Sequence, residues 1–178
     1  CWSFVYHCYV ILFKCFKTTC CRTYYYTNFE EQAVMDMDTY TKDGMPQVHI
    51  TNLDGKSYSH TFQIDATYPI IEGLTVTAAY RMNDVKCTYG GELMTKPLTS
   101  KYKGLLTASY KTPNGKWQFD GTLQLNGGGR MPKPYKMADT GEWSWDEEFD
   151  AFEQVSAQIT RWFDKWSIYI GGEILTNF

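Results

Sequence analysis

The stretch Trp117–Asn126 reads WQFDGTLQLN. Trp117, Phe119, Leu123 and Leu125 fall on one side, with Gly121 between them. Gln118, Asp120, Thr122, Gln124 and Asn126 fall on the other. Successive side chains of a β-strand point to opposite faces, so this pattern predicts a strand with one apolar and one polar wall. If its neighbours repeat the pattern, the chain is one curved sheet between an apolar medium and a polar one.

The neighbours do repeat it. Upstream, Tyr58, His60, Phe62, Ile64, Ala66 and Tyr68 alternate with Ser59, Thr61, Gln63, Asp65 and Thr67. After a tight connection at 69–73, Leu74, Val76, Ala78, Tyr80 and Met82 alternate with Thr75, Thr77, Ala79, Arg81 and Asn83. Gly104, Leu106, Ala108 and Tyr110 share a face of the segment 101–112, although Leu105 blurs the pattern. Downstream, Val155, Ala157, Ile159 and Phe163 alternate with Gln154, Ser156, Gln158, Thr160 and Trp162. A last strand begins at Trp166, Ile168 and Ile170 and runs toward Phe178. A first strand is predicted over 23–37, TYYYTNFEEQAVMDM, followed by the breakers Asp43-Gly44 and Pro46. The count is about seven strands.

The connections carry a second signal. They alternate long and short: long near Lys42, Gly90 and Arg130, short near Ile71, Asn114 and Asp164. Outer-membrane barrels have short periplasmic turns and long extracellular loops, so their strands must be joined in this way. Strands of about ten residues also suit a tilted membrane crossing. Tyr58, Tyr68, Tyr80, Tyr110, Trp117, Trp162 and Trp166 lie near strand ends, as aromatic girdles at two interfaces would require. Aromatic packing inside a soluble β-sandwich is the competing explanation.

Composition bounds the answer. The 178 residues suffice for one domain with a sizeable core, and a net charge of −3 gives no reason to expect a nucleic-acid partner. Aromatics make up 17% of the chain, which favours β structure. Mean hydropathy is negative, too polar for a bundle of membrane helices. A membrane β-barrel tolerates that, because only alternate residues meet lipid.

Residues 1–22 look different. Five of the six cysteines lie in CWSFVYHCYVILFKCFKTTCC, and only Cys87 lies elsewhere. A disulfide scaffold would spread its cysteines over the domain it staples. The paired CxxC spacing of zinc sites is missing. The apolar run Val10–Phe13 is too short to cross a bilayer and is interrupted by Lys14. No basic region precedes it and no clear cleavage site follows, against a signal peptide. Three readings stand: a poorly ordered extension, a metal or redox segment, or sequence not designed for this fold, such as a shifted frame or a gene junction. The last is preferred, so 1–22 is expected outside the fold and 23–178 within it. A chain beginning at Cys1 rather than Met is also expected to be a fragment or a processed product.

From about Tyr24 onward the chain resembles the C-terminal part of the β-barrel of TonB-dependent outer-membrane receptors. The carriers are YYYTNFEEQAVMDMD, SYSHTFQIDATYPIIEGLTVTAAYRMNDVK, LMTKPLTSKYKGLLTASY, NGGGRMPKP and the ending GGEILTNF, with Ile174 where the family pattern usually has Asn. The resemblance implies an all-β, antiparallel, up-and-down transmembrane barrel segment. It implies a complete barrel of about 22 strands around a plug, and a short N-terminal box that contacts TonB. It implies a bacterial outer-membrane location and energised uptake of a siderophore, cobalamin or glycan. The plug, the box and the closing strand after Phe178 are not in this sequence. The expectation is therefore a fragment that is not closed by itself and not competent for transport alone. Its partners would be outer-membrane lipid and the remaining barrel and plug, with TonB engaged only through the absent region.

Candidate site residues are few. Arg130 follows Gly127, Gly128 and Gly129, but a phosphate cradle needs a helix next, and Pro132 and Pro134 follow instead. The segment reads as a flexible external loop. Arg130, Trp143 and Trp145 are its candidate ligand contacts. Asp146, Glu147 and Glu148 beside the tryptophans read as a solvated run. Asp36, Asp38 and Asp43-Gly44 miss the calcium-loop spacing of an EF-hand and read as solvated too. His7, His49 and His60 are scattered, with His60 at an interfacial position, and Cys87 is assigned no role. No Ser-His-Asp or Cys-His set is visible, so no catalysis and no cofactor is expected. The rival reading is a soluble β-barrel or sandwich acting as a binding module, with its apolar face inside. A small outer-membrane enzyme barrel would need closure and a polar catalytic cluster, and the sequence offers neither.

Overall fold

A computed structural model describes residues 4–15, 18–41, 44–137 and 139–173, the first span through its backbone pairing. In chain order the strands are β1 (Phe4–Cys15), β2 (Thr18–Phe29), β3 (Ala33–Tyr40), β4 (Pro46–Asn52), β5 (Ser57–Ile71), β6 (Leu74–Tyr89) and β7 (Glu92–Thr95). They continue as β8 (Tyr102–Lys111), β9 (Trp117–Asn126), β10 (Gly129–Arg130), β11 (Glu148–Phe149), β12 (Phe152–Trp162) and β13 (Ser167–Gly172). One antiparallel sheet runs β1-β2-β5-β6-β8-β9-β12-β13, with β7 paired to the far end of β6. Among the described residues the sheet is not closed by itself: β1 and β13 are its outer strands. The chain is all-β, an up-and-down wall of the barrel type.

The register makes the wall two-faced. One row runs Ala66, Ala78, Leu106, Leu123 and Val155 across five strands. The next residue along gives Asp65, Ala79, Leu105, Gln124 and Gln154 on the opposite face. On the polar face side chains bond across and along the strands. Ser109 Oγ donates to Asp120 at 2.6 Å, and Thr67 meets Thr77 at 3.0 Å. Thr61 donates to Asn83 at 3.1 Å, and the Thr107 and Thr122 hydroxyls lie 3.2 Å apart. On the apolar face Phe62, Tyr80, Leu106, Phe119 and Ile159 stay exposed. No large side chain among the described residues is completely buried.

Two aromatic groups bound this apolar face. Near the short turns, Tyr110 stacks on Phe119, Trp117 stacks on Phe119, and the Arg161 guanidinium lies 4.5 Å over Trp117. Toward the other end, Tyr24 OH and His60 Nδ1 are 2.7 Å apart, and Tyr26 and Tyr58 pack on the same imidazole. Tyr80 stacks on Tyr102 at that end. Trp162 faces the polar side instead, under the Lys111 ammonium.

The short turns have local causes. Gly73 adopts φ +84°, and any Cβ there would run into the Lys111 carbonyl, which the tight β5–β6 turn brings close. In the 112–117 turn, Asn114 Oδ1 accepts from the Thr112 hydroxyl at 2.7 Å and from the Lys116 amide at 3.0 Å.

Two expectations change. The strand expected over 23–37 is two strands, because 30–32 leave the sheet and β3 pairs with β4 instead. The long connection expected near Gly90 begins only after Tyr89, because β6 keeps pairing with β5 and then with β7, while Val85, Cys87 and Tyr89 carry its apolar side chains over to the face opposite that of Leu74 and Met82. The path through the sheet has eight strands, in line with the expected count of about seven. The first of them is β1, paired with β2 from Phe4↔Phe29 to Cys15↔Thr18. β2 itself begins at Thr18, and Cys20 and Cys21 face Ala66 and Asp65 like any two consecutive strand residues. Asp43 and the LTNF ending (175–178), together with Ile174, lie outside the described residues.

Candidate functional site

Antiparallel strands joined alternately by short and long links must send every long link to one end. Residues 30–56 form the first long connection, around β3 and β4. Residues 90–101 form the second, with β7, and 127–151 form the third, with β10 and β11. Together they cap one end of the wall.

The cap has an inside. Val34, Cys87 and Tyr89 are buried together, with Leu53 and Met94 packed against them. Burial pushes the Tyr89 phenol up to about 12, the Cys87 side chain and Asp38 add to the rise, and Arg130 opposes it. Tyr40 is also raised, first by burial and then by Asp38 and Tyr135. Its hydroxyl donates to the Lys133 carbonyl.

Arg130 lies at the centre of the contacts between connections. Its Nη2 bonds the Asp38 carboxylate of the first connection, and its Nη1 donates to the Thr95 carbonyl of the second at 3.0 Å. Its own carbonyl accepts from the Leu98 amide at 2.8 Å. The other Asp38 oxygen accepts the Lys133 amide at 2.8 Å. Lys101 and Glu148 form a further, exposed ion pair at 2.8 Å between the second and third connections.

Trp143 and Trp145 lie farther along the third connection. Trp143 is 60% exposed, with the Lys136 ammonium 5.4 Å over its ring. Trp145 is held from below: its Nε1 donates to the Pro132 carbonyl at 2.8 Å and its ring packs edge-on against Tyr135. Two clefts open between the connections. One of about 370 Å³ is lined by Met35, Met37, Cys87, Tyr89 and Lys96. One of about 340 Å³ is lined by Met94, Lys101, Arg130, Lys133 and Glu148.

Several residues differ from their sequence reading. Asp38, expected to be solvated, has a side chain only 5% exposed and is bonded through both oxygens. Asp36 accepts the Asp38 amide, an ordinary local turn contact. Cys87, given no role, belongs to the buried cluster. Its place was legible in the Val85-Cys87-Tyr89 alternation. The Asp38–Arg130 pair had no local signal, because 92 residues separate the partners. His49 is exposed beside Gln47, and the His7 side chain lies outside what is described.

No protein-family model and no curated protein sequence matches the chain. Among solved structures it is similar to a point variant of the ferric enterobactin receptor from Pseudomonas aeruginosa. The TM-score is 0.64 at 13% identity, over 97% of this chain and 25% of the receptor. At that identity the likeness shows the fold alone: an antiparallel wall of the barrel type. The chain spans a quarter of the receptor's length.

Proposed function

We propose that the chain is a wall segment of a TonB-dependent outer-membrane receptor, with its long-connection cap forming part of the outer mouth. The carrying observation is the two-faced wall. Its polar face is hydrogen-bonded side chain to side chain, while Phe62, Leu106, Phe119 and Ile159 on the other face are exposed. Exposed apolar area on this scale calls for an apolar medium, and aromatic groups at both margins match a lipid interface. A soluble binding module would need that apolar face inside, and nothing among the described residues covers it.

In this reading the intact barrel, with its plug, energises uptake of a nutrient of the siderophore, cobalamin or glycan class through TonB. No bond is made or broken. The segment alone does not transport, since among the described residues β1 and β13 each keep an open backbone edge that lipid cannot satisfy. A ligand would first meet the exposed Trp143 ring and Lys136, with Arg130 and Trp145 behind them.

The test is contact with lipid tails. The chain is inserted into phospholipid vesicles carrying a photoreactive acyl chain, and adducts are mapped by mass spectrometry. Adducts are expected on Phe62, Leu106, Phe119 and Ile159, and not on Gln63, Thr107, Gln118 or Thr160. Equal labelling of both sets, or a monomer that stays soluble without detergent, overturns the proposal.

A further inference from the structure

The run Gly127-Gly128-Gly129-Arg130 lies tightly against its neighbours. None of its glycines has a positive φ. They are glycines because no side chain fits. A Cβ on Gly127 would lie 2.5 Å from the Tyr102 ring, and one on Gly128 2.5 Å from the Phe149 carbonyl. A Cβ on Gly129 would overlap the Thr99 carbonyl. The main chain therefore threads a closed seam between the second connection and β11. Its amides confirm the fit: Lys101 N–H donates to the Gly128 carbonyl at 3.1 Å and Gly127 N–H to the Tyr102 carbonyl at 2.8 Å.

The seam delivers Arg130 to the place where the other two connections meet. A guanidinium holds its nitrogens in a rigid fork, so one side chain can bond two partners in fixed directions. Here the fork joins Asp38 of the first connection to Thr95 of the second. Lysine carries a single nitrogen and cannot reproduce that geometry. The Asp38 carboxylate, nearly excluded from water, has its second oxygen on the Lys133 amide, so it also binds the third connection.

We propose that Gly127–Arg130 is the keystone of the cap, with Arg130 a positioning residue that locks the three long connections into one body. The inference rests on cap geometry and does not depend on the uptake reading. A ligand arriving at the cap then meets a preformed surface instead of three independent loops.

Amide hydrogen exchange of the full chain in detergent micelles, read by mass spectrometry, tests this. Arg130→Lys is expected to speed exchange at least tenfold in peptides covering 33–40 and 92–99, neither of which contains the changed residue. Wall peptides over 103–111 and 117–125 should not change. Asp38→Asn should speed the same peptides, and the Arg130→Lys/Asp38→Asn double variant should be no faster than the worse single variant, because one interaction is lost in both. Lys101→Gln, which breaks the exposed ion pair between the same connections, should change exchange less than twofold. The proposal is overturned if Arg130→Lys affects only 131–147, if Lys101→Gln matches it, or if the two single variants add. Loss of wall protection in Arg130→Lys overturns it as well, since Arg130 would then hold the sheet and not the cap. So does free exchange of all three connections in the unaltered chain.

Discussion

In the wall, Leu106 is 47% exposed while its neighbour Thr107, on the other face, meets the Thr122 hydroxyl at 3.2 Å. In the cap, Val34, Cys87 and Tyr89 are buried and the charged groups at the centre are paired. The wall leaves its apolar face exposed and bonds its polar face; the cap follows the ordinary order of a water-soluble fold. One chain shows both arrangements, and the proposed function explains this by two parts that face different media. Burying apolar area contributes about 25 cal/mol per Å² where water is the alternative. The cap uses that contribution on a small cluster. The wall cannot, because among the described residues nothing packs on its apolar side. It relies on backbone pairing, and in the proposed function on lipid.

The contrast breaks or sharpens under substitution. The largest effect is expected from a charge on the outward face. In vesicles, Leu106→Arg should destabilise the wall by about 2–4 kcal/mol, against less than about 1 kcal/mol for Thr107→Arg. Guanidinium unfolding followed by intrinsic tryptophan fluorescence reads both. Equal costs would mean that the two faces see the same medium.

Alkali should separate the cap from the wall. Folded Tyr89 holds its proton up to about 12, against 10.0 for the ordinary phenol. Between those values the unfolded chain has released a proton that the folded cap still binds, so stability falls as pH rises through this window and is intact below it. The loss is on the order of 2 kcal/mol by pH 12. Proteolysis within 30–56 and 90–101 should increase over that range while the wall peptides stay protected, and Tyr89→Phe should flatten the profile. An unchanged profile in Tyr89→Phe would remove Tyr89 as the cause.

At the short-turn end, Gly73→Ala should cost about 1–2 kcal/mol, since an L side chain at positive φ is strained. Gly115→Ala, also at positive φ but with only the far end of the Lys111 side chain nearby, should cost less. Thermal unfolding midpoints rank the two, and a reversed rank would mean that the close approach to Lys111 is relieved at no cost. The smallest effect is expected at the exposed rim: Trp143→Ala should change stability by less than about 0.5 kcal/mol. A larger loss would make Trp143 part of the cap's interior instead of a surface for ligand.

The two parts were also unequally legible. β9 falls where WQFDGTLQLN placed it, from Trp117 to Asn126. The turns at Gly73, Asn114 and 164–165 fall between the strands they were expected to join. These features are local: alternation with period two needs only neighbours along the chain, and a tight turn needs only its own residues. The cap was misread where its contacts are distant. Asp38 looked solvated because its partner Arg130 comes from another connection, and the packing around the glycine run had no local signal because Tyr102, Thr99 and Phe149 are brought against it only by folding. Residues 1–22 were set apart on composition, yet Phe4–Cys15 pairs along β2. Backbone pairing is indifferent to cysteine content.

The sequence by itself determined a two-faced antiparallel wall, its short turns and the end at which its long connections gather. All of that follows from side-chain alternation and turn chemistry, which act within a few residues. Only the tertiary structure decided that the long connections form a cap with an interior, that Arg130 joins Asp38 and Thr95, and that three glycines are a packing seam. Those contacts join residues far apart in the chain, and they exist only once the register of the wall has brought the connections together.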